Sequence, residues 1–171
     1  ISDIPETMLT KYRYGEVRET RTSEDDPIYG LPMEVRPTAL YYNESVFEKA
    51  GIIVISVDEE DMDAWNENEI PDKRGKYKSD FAKLAGINVP QKGYFRSDGS
   101  YLIYGPPAND VIQVFNNRIA MNWDEVEELA MIFSKSTNPS AERLYGTEYG
   151  YFTEWWFNYG WSVGGDCLAD L

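Results

Sequence analysis

The chain contains no histidine and one cysteine, Cys167. Without histidine it lacks the commonest general base and the commonest metal ligand. Ser-His-Asp and Cys-His catalytic sets are excluded, as is every His-containing zinc site. A lone cysteine closes neither an intrachain disulfide nor a cysteine cluster, so Cys167 reads as a small buried hydrophobe. The lack of disulfides leaves the compartment open. Cations are scarce, with 16 Lys+Arg against 30 Asp+Glu and a net charge of −14. That balance repels phosphate backbones and anionic bilayers, so nucleic acid is excluded as a partner. The charge itself reads as a solubility device. No apolar run approaches the length of a membrane span, so direct membrane insertion by this segment is not expected. The opening Ile1-Ser2-Asp3-Ile4-Pro5-Glu6 is not a signal peptide. The chain reads as a piece of something longer, with any targeting segment outside it. Dinucleotide and Walker fingerprints are absent, and Gly160-Trp161-Ser162-Val163-Gly164-Gly165 matches neither. No cofactor and no metal are therefore expected.

Aromatic side chains are abundant: 5 Trp, 13 Tyr and 7 Phe make up 15% of the sequence. They suit either an aromatic core with a Tyr-rich surface or a ring-lined binding surface. A chain of 171 residues is long enough for one domain with a real core.

Residues 1–26 are polar and mixed in charge, and Thr22 to Pro27 reads as a solvated loop. Ile28 to Met33 reads as a short strand, and Thr38 to Tyr42 as an interior strand, apolar on both faces. Ser45-Val46-Phe47-Glu48 has capping-box form, and Gly51 stands where a left-handed cap is wanted, which predicts a short helix. Asn43-Glu44-Ser45 also fits the glycosylation sequon, but the same residues serve as a helix start. Ile52 to Val57 is β-branched and strand-like. Asp58 to Glu69 lacks the central Gly and the ligand spacing of a calcium loop, and reads as a solvated acidic helix with Met62 and Trp65 inward. Pro71 to Lys78 is a charged connection. Ser79 to Gly86 predicts a helix with Ser79 as cap and Phe81, Leu84 and Ala85 inward. Pro90 to Ala108 reads as loops and turns, and Val111 to Phe115 as a strand. The strongest helix starts at Asn122. Asp124 and Glu125 sit in its first turn, Val126, Leu129, Ala130 and Phe133 form its apolar stripe, and Lys135 sits in its last turn. Asn138-Pro139-Ser140 breaks the chain. Tyr149 to Phe152 is strand-like, and Trp155 to Val163 predicts an aromatic helix. Strands alternating with helices predict an α/β class.

Two segments together resemble the extracellular solute-binding protein family of bacterial ABC sugar importers, of the maltose-binding-protein type. The first runs Tyr29-Gly30-Leu31-Pro32-Met33-Glu34, Ala39-Leu40-Tyr41-Tyr42-Asn43 and Phe47-Glu48-Lys49-Ala50-Gly51. It is similar to the family's GLP strand, LYYN strand and FEKAG helix. The second runs Asn122-Trp123-Asp124-Glu125 to Ala130, then Tyr149-Gly150, then Trp155-Trp156 to Gly164-Gly165-Asp166. It is similar to the family's TWDE helix, strand and aromatic helix ending in GGD. The resemblance covers about 28–51 and 122–166, and 52–121 departs from it as an insertion. It implies part of a two-lobed periplasmic-binding-protein-like fold, with a hinge crossing and part of the second lobe. Residues 1–35 would end the first lobe and enter the hinge, and 36–171 would be the partial second lobe. It implies a non-catalytic binder of a sugar or oligosaccharide that delivers to a membrane permease by hinge closure. The setting would be extracellular or periplasmic, with a lipid anchor outside this segment.

A pyranose has an apolar C–H face and a belt of hydroxyls, so flat rings stack on the face while carboxylates, amides and guanidinium groups bind the belt. Glu154-Trp155-Trp156-Phe157-Asn158 supplies such groups, and the resemblance implies that this junction faces the cleft. Trp155 or Trp156 meets the ligand, since both cannot easily point the same way on one helix. Glu154 is a ligand contact or a first-turn helix charge. Tyr159 and Trp161 read as core, Trp123 as packing and Trp65 as the anchor of the acidic helix. Glu34 and Arg36 lie at the implied crossing, as an ion pair or as ligand contacts. Two rival readings remain. A glycoside hydrolase needs two carboxylates straddling a bond, and no spacing points to a pair. A protein-interaction module would also use exposed aromatics.

Overall fold

The computed structural model describes residues 4–5, 9, 12–13, 26–32, 39–99 and 105–153. The chain divides into two units, Ile1–Tyr42 and Asn43–Leu171.

In the first unit Arg13 and Ile28 form an isolated antiparallel bridge. The Tyr29 N–H donates to the Tyr12 carbonyl at 2.9 Å, and the Arg13 guanidinium donates to the Asp26 carbonyl at 2.6 Å. The strand expected over Ile28–Met33 is reduced to that bridge, with Met33 outside the described residues. The interior strand expected to end at Tyr42 is overturned. Residues 39–42 belong to no strand, and Leu40 and Tyr41 are 53% and 89% exposed. Aromatic and branched residues favour strands only where a pleated, half-buried surface exists to receive them.

The second unit begins with helix α1, Glu44–Lys49. Its cap is Asn43 rather than Ser45, with Asn43 Oδ1 accepting from the Val46 N–H at 3.3 Å. Either residue offers the oxygen that an unpaired N-terminal N–H requires. Gly51, at φ 75°, ends the helix as expected. Strand β1, Ile52–Ile55, follows. A 3₁₀ turn, Glu59–Asp61, leads into helix α2, Met62–Asn66, in which Met62 and Trp65 are fully buried. The helix expected over 79–86 is two 3₁₀ turns, Lys78–Asp80 and Ala82–Leu84. Tyr77, not Ser79, precedes the first turn, and its N–H donates to Asp80 Oδ2 at 2.8 Å. Leu84 is buried and Phe81 packs beside it, whereas Ala85 is exposed, against expectation. With 3 residues per turn, positions i and i+3 share a side and the next residue falls off it.

Strands β2, Tyr94–Arg96, and β3, Gln113–Asn116, complete a sheet of order β1-β3-β2. β1 runs parallel to β3 with Ile53 opposite Val114, and β2 runs antiparallel with Tyr94 opposite Phe115. All of these strands lie inside the segment that the resemblance leaves unaccounted for. Alternation along β3 sends neighbouring side chains to opposite faces. On one face Ile55 and Val114 join Val57, Met62, Trp65, Leu84 and Val89 in a buried cluster. On the other, Phe115 meets Phe47 of α1 edge to face at 5.2 Å, and Phe47 stacks on Phe133 at 5.4 Å.

Phe133 closes helix α3, Trp123–Phe133, capped by Asn122 as expected, with Oδ1 accepting from the Glu125 N–H at 2.9 Å. Leu129 and Phe133 are buried as the stripe requires. Val126 and Ala130 are only half-buried, and the buried positions include Glu125 and Ile132. Lys135 lies past the helix end, where it pairs with Glu142 at 2.7 Å. A further helix, α4 (Ala141–Tyr145), follows Asn138-Pro139-Ser140, where only a break was expected. Buried Asn138 makes that turn, donating from Nδ2 to the Ile132 carbonyl at 2.8 Å and accepting the Ser140 N–H at 3.1 Å. Tyr149–Phe152 is irregular chain rather than the expected strand. The unit has mixed α/β character. Among the described residues no helix is long and apolar enough to cross a membrane.

Candidate functional site

The residues singled out for ligand contact, Glu34, Arg36, Glu154, Trp155, Trp156 and Asn158, lie outside the described residues, as do Tyr159, Trp161 and Cys167. Two other singled-out tryptophans are described. Trp65 is fully buried and donates from Nε1 to the Lys76 carbonyl at 3.2 Å, the anchoring role expected of it. Trp123 is half-buried and meets Tyr151 edge to face at 6.2 Å, which is packing.

That second contact borders a hollow of about 190 Å³ between the C-terminal half of α3 and the chain at 149–151. Glu127, Met131, Ser134, Thr137, Tyr149 and Tyr151 line it, together with Gly150. The irregular segment is fastened to the helix end. The Lys135 N–H donates to the Glu148 carbonyl at 2.9 Å, and Thr147 Oγ1 donates to the Phe133 carbonyl at 2.8 Å. Gly150 sits so close to α3 that a Cβ there would overlap the Ala130 carbonyl. Only glycine permits such an approach of two backbones. The consequence is that Tyr149 is held 69% exposed and Phe152 75% exposed, with Tyr151 partly exposed between them. A strand over 149–152 would have alternated these rings between two faces. The Tyr-Gly-Tyr pattern, with glycine between two rings, was the available signal.

A second hollow, of about 430 Å³, is lined by Asn68, Lys78, Phe81, Leu84 and Gly86 beside the 3₁₀ turns. Its one cation, Lys78, donates to the Asn66 carbonyl at 3.1 Å.

Between β2 and α3 lies a charged cluster. The Arg96 side chain is 3% exposed and forks onto Asp98, Nε to Oδ1 at 3.2 Å and Nη2 to Oδ2 at 3.0 Å. Its Nε is also 3.5 Å from Glu128 Oε1. That N–H is already directed at Asp98, and Glu128 Oε1 is buried without a hydrogen-bond partner. Burial holds the Glu128 carboxyl above the usual carboxylate range; Arg96 and Lys92 pull it down, while Asp98 and Glu125 push it up. Glu125 Oε2 accepts the Tyr94 N–H at 3.2 Å, and the Tyr94 hydroxyl donates to Gln113 Oε1 at 2.8 Å. Burial raises the Tyr94 phenol far above its ordinary value. A carboxyl whose hold on its proton is strengthened by burial is one property of an acid catalyst. Glu128 faces a guanidinium, however, and lines neither hollow. Its chemistry here is that of an ion-pair link between strand and helix.

The acidic run at 58–69 is cross-linked by cations. Lys73 reaches Asp58 at 2.8 Å and Asp61 at 3.0 Å, and Arg118 reaches Asp58 at 2.7 Å. Hydrogen bonds from Lys73 and Arg118 hold the Asp58 carboxyl below its ordinary value. Among the described residues no group of three or more Cys, Asp or Glu side chains is arranged to hold a metal ion. Comparison of the chain with family models, curated proteins and solved structures finds no match.

Proposed function

We propose that the chain binds a sugar or oligosaccharide without transforming it, as part of a two-lobed solute-binding protein that delivers its ligand to the permease of an ABC importer. The observation that carries this reading is the exposed run Tyr149–Phe152, fastened to α3 and leading in sequence straight into Glu154-Trp155-Trp156-Phe157-Asn158. Rings held in water sacrifice the stabilisation of burial, roughly 25 cal/mol per Å² of apolar surface, and a binder recovers it when a ligand covers them. Sugar C–H faces suit such rings, with each stack contributing about 1 kcal/mol beyond area burial. The neighbouring Glu127, Ser134 and Thr137 supply acceptors and donors for hydroxyls. Closure of a second lobe over this surface would complete the ligand's enclosure. An exported location and a lipid anchor outside the segment belong to the same proposal, and both rest on the resemblance at 28–51 and 122–166.

Titration with a panel of oligosaccharides, followed by intrinsic tryptophan fluorescence, tests the reading. A saturable change with one sugar class, abolished by Trp155→Ala or Trp156→Ala, is expected. Silence across the panel, both in the folded chain and in a longer parent carrying it, would sink the proposal. Turnover of a chromogenic glycoside would replace it with the hydrolase reading.

A further inference from the structure

The chain carries two Asn-X-Ser triplets, Asn43-Glu44-Ser45 and Asn138-Pro139-Ser140, and they meet different fates in the fold. We infer that Asn43 is an acceptor for N-linked glycosylation, a modification that goes beyond the sugar-binding reading and shares with it only an exported setting. Sequence is the first argument. The acceptor pattern admits any middle residue except proline. Pro139 therefore disqualifies the second triplet, and Asn43-Glu44-Ser45 is the one complete pattern in the chain. Access is the second. Asn43, Glu44 and Ser45 are all exposed, and the Glu44 carboxylate is drawn onto Arg74 at 2.6 Å. Asn138, by contrast, is fully buried. Both ends of its amide are engaged, Nδ2 with the Ile132 carbonyl and Oδ1 with the Ser140 N–H.

The third argument is which amide atom the fold uses. Capping α1 engages only the oxygen of Asn43, with Oδ1 accepting from the Val46 N–H at 3.3 Å. An N–H requires an acceptor, so the amide is not turned the other way. Nδ2, the atom that takes the sugar, has no hydrogen-bond partner among the described residues. The backbone beneath it is extended, at φ −99° and ψ 105°, and the Asn43 carbonyl accepts from the Val46 and Phe47 N–H groups at 3.1 Å each. The nitrogen is thus presented outward from a fixed base. Transfer from a lipid-pyrophosphate-linked oligosaccharide forms a bond between Nδ2 and sugar C1 and breaks the bond from C1 to the phosphate oxygen. The lipid pyrophosphate leaves with that electron pair, and Nδ2 gives up one of its two protons. Oδ1 is untouched, so the cap persists in the product. A glycan is bulky and hydrated, and at this position it stands on the surface.

The test secretes the full chain from a host that carries an oligosaccharyltransferase. A terminal Asn-Gly-Thr segment added to the same chain reports that the transferase has acted. Mass spectrometry of the peptide containing Asn43 is expected to show a glycan that peptide N-glycosidase removes. Asn43→Asp, which keeps the capping oxygen, and Ser45→Ala should each abolish it, while Ser45→Thr should retain it. The glycosylated chain should have the same urea midpoint as Ser45→Ala, because the cap is intact. An unmodified Asn43 in a chain whose terminal segment is occupied would overturn the site. So would a midpoint lowered by the glycan, which would place Nδ2 in a contact that the fold needs. Either result leaves the sugar-binding reading standing, and silence in the oligosaccharide titration leaves this site standing.

Discussion

Val114 and Phe115 are neighbours on β3, yet they look into surroundings of different chemistry. Val114 faces Ile55, Met62, Trp65, Leu84 and Val89, an apolar cluster closed by α2 and the 3₁₀ turns. Polar groups at its margin are paired: Asn116 accepts the Val57 N–H at 3.2 Å and donates to the Val57 carbonyl at 2.8 Å. Asp72 Oδ2 accepts the Ser56 N–H at 3.2 Å, while its Oδ1 takes the Arg74 and Lys76 N–H groups at 2.9 Å. Phe115 faces α1 and α3, where rings share the interior with Arg96, Glu125 and Glu128. The first face stabilises through area and packing, with no titrating group inside the cluster. The second holds sealed charge, so its stability depends on pH and on every partner staying in place.

The widest gap between the faces should come from Trp65→Ala. Removing a fully buried indole should cost about 3–5 kcal/mol, equally at pH 5 and pH 7, as read from urea midpoints. A loss below about 1 kcal/mol would mean that α2 is not part of the cooperative core. Next comes Arg96→Met, which leaves Asp98 and Glu128 without their guanidinium. A loss of about 3 kcal/mol is expected at pH 7. It should shrink as pH falls, because burial makes Glu128 take up a proton more readily than an ordinary carboxylate. A loss that does not change with pH would show that the cluster is not electrostatically coupled.

Glu128→Gln sharpens the contrast with a smaller effect. Burial raises the folded-state value of Glu128 above its ordinary 4.5. Just above 4.5 the folded chain therefore keeps a proton that the unfolded chain has released. This contribution is complete below 4.5 and is lost as pH rises through the folded value. The glutamine variant should be more stable than wild type by about 1 kcal/mol at pH 7, since a neutral amide avoids the desolvation cost of a carboxylate at this site. It should also lose the decline in stability as pH rises above 4.5. A variant less stable than wild type at pH 7 would mean that the pairing with Arg96 outweighs desolvation.

The smallest effect is expected from Lys73→Ala on the exposed acidic edge. Asp58 has a folded-state value below its ordinary 3.8, so its contribution is present above 3.8 and lost as pH falls through the folded value. The sign is opposite to that of Glu128. The variant should barely move the midpoint at physiological salt, with any difference fading as salt is added. A large, salt-independent loss would make this edge part of the core.

Local chemistry was readable without coordinates wherever a single residue's side chain or φ angle decides the outcome. Asn122 had to cap because an amide oxygen before an amphipathic run meets an unpaired N–H. Gly51 and Gly86 had to end their helical turns because a φ near 75° and 76° strains any Cβ. Trp65 and Met62 had to be interior, being the large apolar residues of an otherwise acidic stretch. Partnerships across long separations were a different matter. Ala39 to Tyr42 continues a run of strand composition, but these residues form no strand, and Leu40 and Tyr41 stay exposed. Glu125 reads in the sequence as a first-turn helix charge, and only β2 brings the Tyr94 N–H to its carboxylate and Arg96 against Glu128. Tyr149 and Tyr151 looked like strand residues until Gly150 docked on Ala130 and fixed them as exposed rings. By itself, the sequence determined the Asn122 cap, the turn glycines and the α/β class, because these follow from forces acting within a few residues. Tertiary structure alone decided which face of α3 is buried, where the sealed charges lie and which aromatics stay exposed, because burial belongs to pairs of surfaces that meet only when the chain has folded.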